Sequence, residues 1–173
     1  LFEASLSTFD LTRWLEHVPE EARPQARDRA RDLAMKHGDA IVAAILLLEL
    51  DDPAGAEEAL VQAHATIDGR DYGTLVPLAK ALREQGCPRG ETAVLRALMA
   101  DILGRANARA YGHAARYLRR LHEIATTGES LDPLMDHAAF EQQVKATHPR
   151  KVAFWTQVAR VGDTGSADEL IAS

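Results

Sequence analysis

The chain has 173 residues, with 26 acids against 20 lysines and arginines and a formal net charge of −6. That length suits one domain or one run of helical repeats and buries about 70% of the surface of its unfolded form, so no disulfide or metal staple is needed. Net acidity argues against a dedicated nucleic-acid binder, which concentrates Lys and Arg, and the longest apolar run, residues 41–48 (IVAAILLL), is too short to span a bilayer.

No sustained β-alternation is present, and glycine and proline punctuate apolar-periodic segments. Thr8 or Asp10 is placed to cap a short helix carrying Leu11, Trp14 and Leu15. Pro19, Glu20 and Glu21 open a second, with acids at its positive end. Pro24 fits its first turn, the helix runs to about Lys36, and His37-Gly38 ends it. Asp39 caps a third through Leu50, apolar nearly all round and expected to be buried on several sides. Asp52-Pro53 starts a fourth, through Ile67, and residues 68–71 (DGRD) form a turn. A fifth helix, residues 72–85, aligns Leu75, Leu78, Ala79 and Leu82. Gly86-Cys87-Pro88 separates it from a sixth, residues 89–105. A seventh takes residues 108–125, and a loop with Gly128 follows. Asp136 caps an eighth helix, to Thr147, and Pro149 opens a ninth with Val152, Phe154, Trp155 and Val158. Residues 162–173 read as a flexible tail.

Charge is unevenly placed. Residues 1–60 carry 13 acids against 6 bases, whereas residues 101–160 carry 6 acids against 9 bases. The basic excess centres on ARAYGHAARYLRRLHEIA, residues 108–125, with four arginines and no acid before Glu123. At 100° per residue, Ala114, Ala115, Leu118, Leu121, His122 and Ala125 fall within about 80° of Tyr111 and form the core face. Arg109, Arg116 and Arg120 gather on the far side with His113 beside them, and Arg119 stands at the boundary. Arg109, His113, Arg116, Arg119 and Arg120 are therefore the candidate partner surface, against the reading that they are a solvated face paired to acids nearby. Tyr117 falls off the core face, and His122 is expected as a hydrogen-bonded core residue.

Other constellations carry less. The seven histidines have no pair three or four residues apart, and there is no Cys-x-x-Cys, so no zinc spacing exists. Cys87 excludes an intramolecular disulfide by being single, which suits a reducing compartment. Its place at a helix start favours a lowered thiol pKa, but a lone cysteine without a His motif reads better as a half-buried loop residue. Glu20-Glu21, Asp51-Asp52 and Glu57-Glu58 sit at helix ends, where dipole complementarity explains the N-terminal pairs. No cofactor motif is present.

The runs FEASLSTFDLTRWLEHVP, IDGRDYGTLVPLAKAL, RALMADILGRANARAYGHAARYL and DHAAFEQQVKATHPRKVAFW resemble a bacterial family of unknown function with tetratricopeptide-like α-helical repeats. A related ending occurs in proteins with SWIM zinc fingers. The resemblance extends from Phe2 to about Ala159 and is most specific at residues 68–72 and 110–118. It implies a helical fold and a longer N-terminal side, in keeping with Leu1 as an internal start. It carries no zinc, since the SWIM Cys/His cluster is absent here, and no catalytic residues.

The expectation is an all-α fold of about nine helices, stacked as antiparallel hairpins in a tetratricopeptide-like α-solenoid over residues 1–161. Short loops favour antiparallel neighbours, and hairpin starts recur near Asp39, Asp71 and Arg109, about 30 to 40 residues apart. Such stacks expose extended binding surfaces. A cytoplasmic scaffold for an unknown protein or peptide is therefore the leading function, with no membrane or cofactor. Nucleic-acid or anion binding through the arginines, with Arg150 and Lys151, comes second, and an enzyme built from scattered residues third.

Overall fold

The computed structural model describes residues 8–163. Among them are nine α-helices, two 3-10 turns and no strand. The helices are α1 (Thr8–His17), α2 (Arg23–Met35), α3 (Ala40–Glu49), α4 (Pro53–Gln62), α5 (Tyr72–Glu84), α6 (Pro88–Gly104), α7 (Tyr111–Thr126), α8 (His137–Thr147) and α9 (Val152–Asp163). The side chains of Thr8 and Asp10 and residues 164–173 lie outside the described residues, and with them the expected first cap and most of the expected tail. Gly162, read as tail, still belongs to α9.

Four helices begin at an aspartate cap, three of them, all but the one at Asp71, at the aspartate where the sequence reading placed a helix start. Asp39 Oδ1 accepts from the Ile41 and Val42 amides at 2.8 and 3.3 Å. Asp52, Asp71 and Asp136 accept from Gly55, Thr74 and Ala139 at 3.0, 3.2 and 2.9 Å. Each carboxylate satisfies amides that the first turn leaves without an intrahelical acceptor. Helix ends are equally local. Gly86 takes φ 69° after α5, and the Cys87 amide reaches back to the Leu82 carbonyl at 2.9 Å. Ala106, with φ 52°, closes α6 in the same way through Asn107 to Ile102 at 3.0 Å.

Several boundaries differ from the sequence reading, and three of them have a clear reason in the local bonding. The second helix is divided into a 3-10 turn, Glu20–Ala22, and α2. Pro24 has no amide to bond the Glu20 carbonyl, so the Arg23 amide takes it instead, one residue tighter. Helix α4 stops at Gln62 rather than Ile67. His64 Nδ1 and Thr66 Oγ1 engage the Val61 and Ala63 carbonyls at 2.7 and 2.9 Å, offering the chain a turn in place of another helical bond. Helix α9 opens at Val152, not Pro149, because the His148 carbonyl is shared by the Lys151 amide and the Trp155 indole.

The core is aliphatic and continuous, running through Leu46, Leu47, Leu60, Leu75, Leu82, Leu98, Ile102 and Leu118 to Phe154. As expected, α3 is enclosed on several sides, with Ala43, Ala44, Leu46 and Leu47 buried. Helix α3 packs on α4, α5 on α6, and α6 on α7, while α4–α6 and α7–α9 contacts join helices that are not chain neighbours. Helix α8 touches α7 lightly.

Two buried carboxylates brace these layers. Glu57 of α4, 8% exposed, accepts the Arg89 and Gly90 amides at 2.7 and 3.1 Å, and its other oxygen meets the Arg89 guanidinium at 3.0 and 3.1 Å. It caps α6 from a neighbouring helix, a task that Cys87 at the N-cap position does not perform. Gly90 permits the approach, since a Cβ there would stand 3.3 Å from Glu57 Cα. Glu91 of α6 braces α7 in turn, accepting from Arg120 Nε and Nη2 at 2.8 and 2.9 Å. Forked guanidinium–carboxylate pairs of this kind fix orientation as well as charge.

Candidate functional site

The arginine-rich stretch enters through a 3-10 turn, Ala108–Ala110, and continues as α7. Its buried side is wider than the sequence angle suggested, because both α6 and α9 pack against it. Tyr111, Ala114, Ala115, Tyr117, Leu118, Leu121 and Ile124 are all buried. Tyr117, placed off the core by its angle, is 9% exposed. His122, placed on the core face, is exposed instead, its ring 5.4 Å from that of His137 at the lightly packed start of α8.

This wide burial divides the candidate surface. Arg120, at the edge facing α6, is taken by Glu91, with Glu123 3.5 Å from its other nitrogen. Arg119, at the opposite edge, bonds Glu123 at 3.2 Å and the Val161 carbonyl of α9. Between them, Arg109 and His113 are exposed and Arg116 is partly so. Arg116 Nη2 donates to His113 Nδ1 at 2.8 Å, which leaves the imidazole proton on Nε2. Burial, and then the Arg116 charge, lower the His113 pKa, so the positive charge of this face at neutral pH is carried by Arg109 and Arg116. Neither arginine has a carboxylate partner among the described residues. Lys151 stands 5.9 Å over the Tyr111 ring, on the other side of α7 from this face.

A second polar cluster was not anticipated. The Tyr72 hydroxyl donates to Asp101 and accepts from Arg105 Nη2 at 2.6 Å, and Arg105 also reaches Asp101 at 2.6 Å. Arg70 Nε stands 3.8 Å from the other Asp101 oxygen. Burial raises the Asp101 carboxyl, but hydrogen bonds from Arg105 and Tyr72 and the nearby arginine charges carry it below its ordinary value. Burial and the bond to Asp101 raise the Tyr72 hydroxyl. The Asp101–Arg105 spacing of four, one turn of helix, was the one visible hint; Tyr72 enters only because the residue 68–71 turn folds onto α6. Arg70 and Arg105 keep 70% and 45% of their side chains exposed. Burial raises the Tyr117 hydroxyl as well, opposed by the Arg116 charge.

Cys87 departs from the lowered pKa that its helix-start position suggested. It is buried, its thiol donates to the Pro53 carbonyl at 3.4 Å, and burial followed by the Glu57 charge pushes its pKa up to about 11. Thiolate is then roughly a thousandth of the population at pH 8. A disulfide reagent is therefore expected to modify Cys87 at least ~100-fold more slowly in native buffer than in denaturant; modification at the rate of a free thiol would overturn this placement.

Among the described residues, no group of three or more His, Cys, Asp or Glu is placed to hold a metal ion, and no helix is long and apolar enough to cross a membrane. No curated protein and no solved structure matches the chain. One match covers residues 1–157, and with them α1 to α8 and the first turns of α9: it is to the family of unknown function DUF6880, to which this chain belongs.

Proposed function

We propose that the domain is a protein-binding scaffold, a tetratricopeptide-like stack of helical hairpins in the bacterial cytoplasm, and that the 3-10 turn and first half of α7, with Arg109 and Arg116, receive an acidic segment of its partner. The observation that carries this reading is the division of the arginines. Arg119 and Arg120 are held by Glu123, Glu91 and the Val161 carbonyl, whereas Arg109 and Arg116 have no carboxylate partner among the described residues. Exposed Arg70 and Arg105 extend the positive ground beside Tyr72, on a chain that is otherwise acidic. Contacts between alternate helices, α4–α6 and α7–α9, support the stacked arrangement. Nucleic-acid binding is the weaker alternative, since the internal pairs withdraw two of the four arginines of residues 108–125 from phosphate contact.

Affinity capture from native lysate, with and without nuclease, tests the reading. The variant to set beside the wild type is Arg109→Glu combined with Arg116→Glu; Arg120 is left intact because reversing it would face Glu91 with a second carboxylate. A partner that survives nuclease and is lost about tenfold or more by the double reversal, at an unchanged melting temperature, is expected. Equal capture by both proteins would remove α7 from the interface, and capture abolished by nuclease would move the assignment to nucleic acid.

A further inference from the structure

Arg96 is the exception among the arginines at the α6 seams. Arg89 and Arg120 each meet a buried carboxylate. Arg96 instead stands 4.3 Å over the Phe140 ring of α8, with its Nε and Nη2 buried and without an acceptor. Burial lowers its pKa to about 10, opposed in part by the charge of Asp136. The deficit is local. The other buried side-chain atoms without a hydrogen-bond partner among the described residues are Thr92 Oγ1, one turn back on α6, and both ring nitrogens of His137, at the start of α8. A buried cation without an ion pair is costly, and buried polar groups normally find partners.

Arg96 also lines a cavity of about 710 Å³ between α6, α8 and the residue 68–71 turn, together with Ile67, Arg70, Met135, Phe140 and Gln143. That volume is within the usual range for small-molecule sites. Two aspartates border it, and both are engaged. Asp101 is held by Tyr72, Arg105 and Arg70, and Asp68 Oδ1 accepts the Arg70 amide at 3.1 Å. One positive charge is thus left over, that of Arg96. With Asp68 and Asp101 set against Arg70, Arg96 and Arg105, the net charge is +1, which a single negative charge balances and a dianion exceeds. The uncharged wall is mostly apolar, with His64 and Gln143 as its polar members, and includes Met135, an exposed and adaptable side chain.

We propose that this cavity binds a small organic monocarboxylate, its carboxylate paired with Arg96 and its apolar body against Phe140 and Met135. A carboxylate matches the planar fork of a guanidinium. Because the Nε and Nη2 atoms of Arg96 are buried, the proposal includes a shift of the lightly packed α8 that exposes them to the ligand. The site borders the Tyr72–Asp101–Arg105 cluster through Arg70 and Asp101 but includes neither Arg109 nor Arg116.

Phenylacetate titrated into the full chain, followed by amide chemical shifts and by melting temperature, is the test. Saturable binding with shifts centred on Arg96 and Phe140 is expected, with phenylethanol and inorganic phosphate at least about tenfold weaker. Arg96→Met is expected to weaken phenylacetate about tenfold or more while the melting temperature of the free protein holds or rises, because an unpaired buried charge is removed. Ala100→Phe fills the cavity from an exposed position on α6 and is expected to block binding with the fold intact. No saturation by phenylacetate, equal binding of phenylethanol, or undiminished binding in either variant would overturn the proposal.

Discussion

Glu91→Ala is expected to destabilise the domain by about 3 kcal/mol, toward the lower end of what removing one partner of a buried ion pair costs. Glu91 is 2% exposed and holds Arg120 by two bonds of 2.8 and 2.9 Å. Its removal strands a guanidinium between α6 and α7 with Glu123 alone, at 3.5 Å, to answer it. Arg120 keeps about a fifth of its side chain exposed, and that solvent access is why the lower figure applies. For a chain of this size the melting temperature should fall by roughly 6–12 °C. Denaturant unfolding measures the loss, and a change below about 1 kcal/mol would show that the pair is not a brace. Changing Glu91 and Arg120 together to methionine should recover most of the stability, since two apolar groups of similar volume leave no charge uncompensated. Arg120 is thus a structural residue in a run that otherwise looks like a binding surface.

Gly69→Ala is the second large effect, about 3 kcal/mol, the upper end of ordinary overpacking. A Cβ at this position would stand 2.1 Å from the Ala97 carbonyl oxygen and 2.9 Å from Asp101 Cβ. Neither is the free end of a flexible side chain. The turn must lift off α6, drawing Arg70 and Tyr72 away from Asp101. The Tyr72 hydroxyl, raised by burial and by its bond to Asp101, should then titrate nearer its ordinary value, which a spectrophotometric titration reads. Gly73→Ala, four residues on, is the control. Its Cβ meets nothing nearer than Asp71 Oδ1 at 3.7 Å, and alanine inside a helix should add about 0.5–1 kcal/mol. Equal stability of the Gly69 and Gly73 variants would mean that the close approach is not a constraint.

The DGRDY run shows how far local reading reaches. Its turn was legible, because it is settled within three residues of chain. That Gly69 lies against the backbone of α6, and that Arg70 and Tyr72 converge on Asp101, depended on a helix about 30 positions away. Where Pro24 withheld an amide, and where Thr66 and the Trp155 indole competed for backbone carbonyls, boundaries moved by a few residues. Tyr117 and His122 were exchanged for a different reason. Helical angle says which residues share a face, but the width of the buried arc depends on how many neighbours cover it, and α7 has two.

Charge followed the same division. Composition and spacing were enough to find the basic stretch. Which arginines remained available was a matter of pairing across the fold: Glu57 with Arg89, 32 residues apart, and Glu91 with Arg120, 29 apart. Arg96 differs from them in nothing that its own segment records. It lacks a carboxylate because α8 offers it the Phe140 ring instead. Helix starts, caps and faces are short-range properties that backbone bonding settles within a turn or two. Burial and pairing are long-range, and they came only with the packing of α6 against α4, α7 and α8.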